Sequence, residues 1–490
     1  MSSLPTPRDA AVSLVAGVLA VAASFAVAGA APSFVVSPID RVIVDATPGT
    51  VIAVTIETVG EAGHLLHLSA AVAVAVGLFG LVALVGLRVG DSTDSPVTAG
   101  LLAGGIAWLL AVGLTAEPLP AAGPALVTGV VTAAGTLGTD PGAIDPARRR
   151  TIAAALGVAG ASGAAVLAGG RRDDDPLHVA PNAEGAETRL RELESAALDV
   201  ESDDLVGLVS PIEEFYNVDI AEFDPEVAAG EWSLTFTGET GADVTVDYGD
   251  LTDRPTEQRA VSLRCVGESL NGRKLDTAVW TGTPIRPLLE SVDPEGDCDC
   301  AMLRGEDGYY VQFPVDVLAD GFLAWGMNGR TLPPQHGHPV RVLIPGHWGE
   351  TNVKWLTEIE LLETAEDGYW EERGWQGTGS VNAVAKLWDE GITELDDGRV
   401  ELAGHAYAGI RGIERVEVSI DGGVTWTDAA LSDPLPDADV WRQWRHVFVP
   451  DGDHEIVVRT VDGEGTRQSG EESDRMPSGA TGWVRRTISG

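Results

Sequence analysis

The sequence predicts three parts in series: a multi-span α-helical membrane domain at the N-terminus, an α+β domain, and a C-terminal all-β sandwich of immunoglobulin-like type. Three observations lead there. Residues 1–170 hold five long apolar runs of Ala, Val, Leu and Gly. Of 74 Asp+Glu and 32 Lys+Arg, only ten and six stand in those residues, so nearly all of the net charge of −42 rests on the remainder. From about 210 onward, short alternating apolar segments separated by Gly and Pro replace the runs, and after about 380 the alternation is strand-like throughout.

The membrane reading places about five helices in 1–170, over about 11–31, 65–87, 97–116, 121–138 and 151–169. A span needs about 20 apolar residues, and five such runs would overfill a globular core. Gly and Thr make 121–138 the weakest of the five. With the N-terminus inside, Arg8, Arg88 and Arg148–Arg150 fall on the cytoplasmic side and, among the short loops, only Arg41 outside; Arg171 and Arg172 oppose this orientation, but Asp173–Asp175 follow them at once and the positive-inside rule discounts long translocated domains. An odd number of spans then puts the residues after about 170 outside the cell. Arg148–Arg150 before a mild Ala/Gly-rich stretch reads either as plain anchoring or as an internal twin-arginine export signal. His64 and His67, three apart at the head of the second run, read as an interfacial polar pair. Residues 171–209 read as an acidic linker containing one short surface helix.

A strongly acidic chain lacks the basic face that phosphate backbones need, so nucleic acid is not expected as a partner. Only Lys274, Lys354 and Lys386 are lysines, and the pairing of acid excess with lysine depletion points to an extreme halophile. Three cysteines exclude a disulfide-framework scaffold.

Residues 210–380 carry no Walker loop, dinucleotide fingerprint, nucleophile elbow or zinc-protease motif in suitable context. Cys265, in "SLRCVGESLNG", is either a buried small hydrophobe or a soft thiolate ligand for a redox metal. Cys298 and Cys300 form a Cys-x-Cys pair in an acidic loop without further metal ligands nearby, and their role stays open. "QHGHPVRVLIPGHWGETNVKWL" sets His336, Arg341 and Lys354 about a Gly/Pro-rich strand and turn, a cationic cluster suited to an anionic phosphate.

These segments resemble the sulfite oxidase superfamily of molybdopterin enzymes. The resemblance rests on "SPIEEFYNVD", "LRCVGESLNGRKLDTAVWTGTPIRPLLE", "AWGMNGRTLPPQHGHPVRVLIPGHWGETNVKWL" and "GYWEERGW", in that order. It implies a molybdenum–molybdopterin cofactor with one pterin per metal and Cys265 as the protein's metal ligand. Phe215, Tyr216, Asn217, Asp219, His336, Arg341, Asn352, Val353 and Lys354 match cofactor-binding positions, with a further contact from Glu306 or Asp307. Trp375 stands at a catalytic position where sulfite oxidases have Tyr. Asn217 replaces an Arg, and "CVGESLNG" lacks the Arg residues that follow the ligand Cys. These departures put sulfite in doubt.

Residues 381–490 are expected to be a dimerisation-type β domain, with Val416, Val418 and Ile420 on one face before the Asp421-Gly422-Gly423 turn, and Trp426, Trp441 and Trp444 in the core. The expected function is a membrane-anchored molybdenum oxidoreductase transferring an oxygen atom to or from a small oxo substrate. Its catalytic domain faces outside and it forms a possible homodimer; its electron partner is not readable from the sequence, the apolar half either docking a quinone or a membrane cytochrome or serving only as an anchor. The alternative is a non-catalytic surface protein with a degenerate cofactor domain, used in binding or adhesion.

Overall fold

The structure is a computed structural model that describes residues 5–48, 51, 55, 63–137, 177–220, 223–241, 244–294 and 296–489. It divides into two units: Met1–Pro176 with Ala221–Glu226, and Leu177–Ile220 with Val227–Gly490.

The first unit is helical. Its elements are α1 (Pro7–Ala28), α2 (Ser37–Ala46), α3 (His64–Thr93), α4 (Pro96–Thr115) and α5 (Ala122–Thr136). Entry into α1 is set by Thr6, whose hydroxyl accepts from the Asp9 N–H while the Asp9 carboxylate accepts from the Thr6 N–H, with Pro7 in the first turn. Ser95 caps α4 ahead of Pro96, its hydroxyl accepting from the Thr98 N–H. Three helices, α1, α3 and α4, are long and apolar enough to cross a membrane, while α5 has 15 residues. The expected span at 151–169 and Arg148–Arg150 lie outside the described residues. Packing in this unit inverts the usual order. Ala99, Ala103, Ala107 and Ala111 of α4 are fully buried, whereas Leu101, Leu109 and Leu126 are exposed. Small residues also set the approach of α4 to α5: a Cβ on Gly129 would stand 2.8 Å from the Gly100 carbonyl oxygen, and one on Gly100 2.9 Å from that of Gly129. The short helix α2 was not foreseen; its Asp40 is buried and lies 2.7 Å from Nδ1 of His67.

The second unit is β-rich. It opens on α6 (Ala186–Ala196), followed by the cofactor-domain strands β1 (Ser233–Gly238), β2 (Val244–Asp247), β3 (Glu257–Arg264), β4 (Leu275–Pro284), β5 (Cys300–Gly305), β6 (Tyr310–Pro314), β7 (Phe322–Met327), β8 (Arg330–Thr331), β9 (Arg341–Leu343) and β10 (Leu356–Leu362). The short helices α7 (Tyr248–Thr252), α8 (Arg286–Val292) and α9 (Val315–Leu318) connect them. One sheet runs β2-β1-β10-β5-β6, with β1 and β10 parallel and the remaining pairs antiparallel. The other runs β3-β4-β7-β8, with β9 also on β7. Fully buried Trp280, Trp325 and Trp355 belong to this domain. Pro284 closes β4, and α8 begins at Arg286 with Pro287 in its first turn.

The region expected to be a solvated spacer is part of this body from Leu177 onward. Ala186, Leu193, Leu205 and Leu208 are buried in its main core. The acids of α6 occupy its outer face, so the high charge density masked an amphipathic helix.

The C-terminal strands are β11 (Val384–Lys386), β12 (Ile392–Glu394), β13 (Val400–Tyr407), β14 (Ile413–Ser419), β15 (Thr427–Asp428), β16 (Ala430–Leu431), β17 (Arg442–Phe448), β18 (His454–Asp462) and β19 (Val484–Ile488). They form two antiparallel sheets, β11-β13-β17-β16 with β12 on β13, and β15-β14-β18-β19. Leu402 and Trp444 from one sheet and Val416, Val418 and Ile456 from the other share a single core, which makes the domain a two-sheet β sandwich. Trp441 and Trp444 are in the core, whereas Trp426 is half-buried beneath the Arg459 guanidinium, 3.6 Å from its ring.

Candidate functional site

Cys265 follows the last residue of β3 and opens a loop that returns to β4 at Lys274. Its own N–H donates to the Lys274 carbonyl at 3.0 Å, and the Glu268 N–H donates to the Cys265 carbonyl at 3.2 Å, so the loop is closed at both ends. The thiol is half-buried and is the free cysteine among the described residues. Burial pushes it up to about 11, opposed by the positive charge of Lys274 and by the Gly267 N–H. A thiol so placed needs a strong Lewis acid or cation to become a thiolate.

Trp375 lies on the same spot. A Cβ added to Gly267 would be 3.6 Å from the Trp375 ring and 3.7 Å from the Cys265 sulfur, so Gly267 separates the two side chains without filling the space between them. Trp375 is buried and meets Trp370 edge-on at 6.4 Å.

The remaining expected residues fall into two neighbouring groups. In the first, the buried ring of Phe215 stacks on Tyr216 at 5.6 Å and meets His336 edge-on at 5.4 Å. Arg341 is buried, its Cζ 5.2 Å above the Trp280 ring, and it donates to the carbonyls of His336 (3.2 Å) and Asn352 (3.0 Å). Its Nε is buried with no acceptor. The Tyr216 hydroxyl feels both the Cys265 sulfur and Arg341, and burial raises it well above the ordinary phenol range. In the second group, the Lys354 ammonium pairs with Asp219 at 2.8 Å and donates to the Gln335 carbonyl at 2.8 Å and to the Asn217 side chain.

The electrostatics of the cluster are those of an anion cradle. Burial, then Arg341, then Lys354 push His336 down to about 3, so it is neutral at physiological pH. Burial pulls Arg341 down to about 10, which still leaves it charged. A buried guanidinium with one unmatched N–H beside a neutral imidazole is costly unless something negative sits against it.

Asn352 and Val353 are both engaged within the protein. The Asn352 carboxamide accepts from the Ile344 N–H at 2.6 Å and donates to the Trp348 carbonyl at 3.2 Å, bracing the 344–352 turn. Val353 is a core residue whose carbonyl accepts from the Val342 N–H. Of the two acids proposed for a further contact, Asp307 is the buried one. Its Oδ1 would be 2.7 Å from a Cβ on Gly305, and the Lys354 carbonyl oxygen is equally close to that point. Cys298 and Cys300 are joined as a disulfide at the start of β5.

Sequence reasoning missed the residues that hold the site from behind. Asp276 accepts from Ser210 Oγ at 2.6 Å and from the Tyr216 N–H at 2.9 Å, fixing the 210–216 segment onto β4; burial lifts its carboxyl to about 6. Arg264, Glu268 and Lys386 form a buried ionic triad next to Cys265. Glu350 and Glu371 present buried carboxyl oxygens to one another, and burial followed by the Glu371 charge pushes Glu350 up to about 8. None of these has a local motif. The one available signal was the rarity of lysine, since all three lysines, Lys274, Lys354 and Lys386, border this site.

Residues 221–370 match the family model described as oxidoreductase molybdopterin binding domain, and residues 379–472 that described as Mo-co oxidoreductase dimerisation domain. The chain is 34% identical over 274 residues to sulfite oxidase of Arabidopsis thaliana, covering 45% of this chain and 70% of that protein. It is 29% identical over 274 residues to mitochondrial sulfite oxidase of Homo sapiens, covering 45% of this chain and 50% of that protein. Against the NADPH nitrate reductase of Beauveria bassiana the figures are 29% over 282 residues, 47% and 31%. The chain thus spans about half the length of the mammalian relatives it matches. The crystal structure of the sulfane dehydrogenase SoxCD from Paracoccus pantotrophus superposes with a TM-score of 0.50 at 18% identity, over 58% of this chain and 82% of that one, which shows a shared fold.

Proposed function

The chain belongs to the sulfite oxidase family of molybdopterin oxidoreductases, and from that premise we propose that it is a membrane-anchored molybdenum enzyme that transfers an oxygen atom between water and a small, weakly charged oxo compound. The observation that carries this reading is the meeting of Cys265, Gly267 and Trp375 in one domain with the buried His336–Arg341 cradle.

The molybdopterin-binding domain implies a molybdenum–molybdopterin cofactor, and the residues present fit it. The unmatched Arg341 Nε is a buried donor suited to a phosphate, and Cys265 is a soft sulfur in a half-open loop. In this assignment Cys265 holds the metal. His336, Arg341 and Lys354 hold the pterin phosphate, and Phe215, Tyr216, Asn217 and Asp219 line its path, with Asn352 and Val353 contributing backbone and turn geometry. When bound, the cofactor supplies two-electron oxygen-atom transfer. Trp375 closes the space beside Gly267 with an aromatic face whose indole N–H can donate but cannot exchange a proton near neutral pH.

The substrate follows from the side chains. Asn217 offers an amide already bonded to Lys354, and no Arg follows Cys265 until Arg273, which pairs outward with Glu390 at 2.7 Å. Each missing charge-assisted bond is worth roughly 1.5–3 kcal/mol, so sulfite should bind about tenfold or more less tightly per bond. An organic S-oxide or N-oxide, reduced to the parent compound with release of water, suits the pocket better. Electrons would come from a quinone or membrane cytochrome.

The inverted packing of α1, α3, α4 and α5, alanine inside and leucine outside, supports residence in lipid. Arginine placement supports an outward-facing catalytic domain, and lysine depletion supports a halophilic source. The C-terminal sandwich is read as immunoglobulin-like and as a homodimer contact, in line with its family model.

The test is metal and pterin analysis of the full chain purified at high salt, with Cys265→Ser alongside. The wild type is expected to hold one molybdenum per chain. The Ser variant should lose the metal's thiolate spectrum while its circular dichroism stays unchanged. Steady-state assays with an artificial electron carrier should favour an S-oxide over sulfite, and efficient sulfite turnover at micromolar KM would refute the substrate assignment.

A further inference from the structure

The loop that carries Cys265 is seated on the C-terminal sandwich. Lys386, the last residue of β11, is fully buried, and its ammonium donates to Glu268 Oε1 at 2.6 Å and to the Gly272 carbonyl at 2.9 Å. Next along, the Asn271 amide donates to the Leu387 carbonyl at 2.7 Å and accepts from the Leu387 N–H at 3.0 Å. The Trp388 indole N–H reaches the Gly272 carbonyl at 3.1 Å. Arg273 lies over the Trp388 ring at 4.6 Å and pairs with Glu390. On the other side, Arg264 Nη1 donates to the Asn382 carbonyl at 2.8 Å. Residues 382–390 therefore hold Arg264, Glu268 and the 271–273 turn of the loop.

Glu268 is the hub. Its Oε2 accepts from Arg264 Nε at 2.9 Å, and its Oε1 accepts from the Lys274 N–H at 2.6 Å as well as from Lys386. Arg264, Glu268 and Lys386 are all out of water. Gly272 leaves room for the Glu268 stem, since a Cβ there would stand 2.7 Å from Glu268 Cγ. A carbonyl and a carboxylate oxygen at these distances suit a compact ammonium. A planar guanidinium fork needs more width, which explains why a chain with 29 arginines and three lysines keeps lysine at this position.

We propose that the C-terminal sandwich is a working part of the metal site, not only a docking module: Lys386, acting through Glu268, positions the Cys265 loop and balances the charge beside the sulfur. This rests on the reading of Cys265 as metal ligand. Lys386 and Glu268 are positioning residues, since neither touches the metal or the substrate. Glu268 reaches the ligand residue directly, its N–H donating to the Cys265 carbonyl at 3.2 Å, and its carboxylate is paired with both Arg264 and Lys386.

The test uses the full-length holoprotein at high salt, with Lys386→Met, Lys386→Arg and the double variant Lys386→Met/Glu268→Gln. Readouts are molybdenum and pterin content, the paramagnetic spectrum of the half-reduced metal, and its reduction potential. Lys386→Met is expected to retain pterin but to alter the paramagnetic spectrum and move the potential negative, because a positive charge near the metal is lost. The double variant, which also removes the Glu268 charge and so restores the net charge of the triad, should recover part of the shift. Lys386→Arg should keep the charge yet still alter the spectrum through misplacement. If Lys386→Met fails to fold, Lys386→Arg carries the test, since it keeps every charge of the triad. Spectrum and potential identical to wild type in the metal-loaded variants would overturn the proposal. Cys265→Ser, run in parallel, separates the two failures: an unchanged metal spectrum there refutes the ligand assignment, whereas its loss alongside unmoved Lys386 variants refutes only the role of the sandwich.

Discussion

At the scale of single residues, the second unit depends on keeping several ionisable groups in a state that water would not choose. His405 of β13 is buried, stacked on Trp441 at 4.1 Å, and sits opposite Lys386 in the β11–β13 pairing. Burial lowers it to about 4, and the Lys386 charge adds to that effect. In the unfolded chain it titrates near 6.5, so between these values the unfolded state binds the extra proton. The stability this group contributes is therefore complete above 6.5 and is lost as pH falls toward 4, by about 3 kcal/mol in all. Urea unfolding at constant high salt, at pH 7.5 and 4.5, should show a smaller loss for His405→Gln than for wild type. An equal loss would mean that other groups govern acid sensitivity. The site was only half legible at this scale. Cys265, His336 and Arg341 could be read because their neighbours form ordered motifs along the chain. Glu268 and Lys386 could not, because their meaning lies in a contact between residues 118 positions apart.

At the scale of elements, the helices of the first unit cohere through small residues, and α4 against α5 is the closest case. Gly100 and Gly129 face each other so nearly that either Cβ would meet the opposite carbonyl oxygen. Gly129→Leu should force the pair apart and destabilise the helical unit by about 1–3 kcal/mol, with Gly129→Ala intermediate. Thermal midpoints in detergent measure this, and full tolerance of Leu would show that α4 and α5 do not pack as described. Long apolar periodless runs placed α1, α3 and α4 to within a few residues of their expected bounds. Helix α2 escaped notice because ten residues with two acids and an arginine resemble a loop by composition. The region 177–209 was misread for the converse reason: its acids dominate the composition, while the few residues that decide its packing, such as Leu193 and Leu208, are scattered among them.

At the scale of the whole molecule, a net charge of −42 sets the conditions under which any of this holds together. Exposed acids on the β-rich unit repel one another, and raising salt from about 0.1 M to about 1 M shortens the Debye length from about 10 Å to about 3 Å. The thermal midpoint of the β-rich unit should climb steadily with potassium chloride. A flat profile would show that surface ion pairs, such as Arg485 with Glu455 and Arg399 with Asp397, already offset the repulsion. The division into a nearly neutral apolar unit and an acidic β-rich one was readable from charge placement alone, because it is a property of composition.

The placement of the three lysines makes the pocket its own reporter. A protease that cuts only after lysine has three targets in 490 residues. Lys386 lies within a strand and is fully buried, Lys354 is tied to Asp219 and the Gln335 carbonyl, and Lys274 is half-buried at the mouth of β4. Digestion therefore requires the site itself to open, and its rate measures how often that happens. At molar salt the chain should survive such treatment intact. Dilution should release fragments ending at these three positions, and rapid cutting at high salt would show that the site opens without the rest of the unit unfolding.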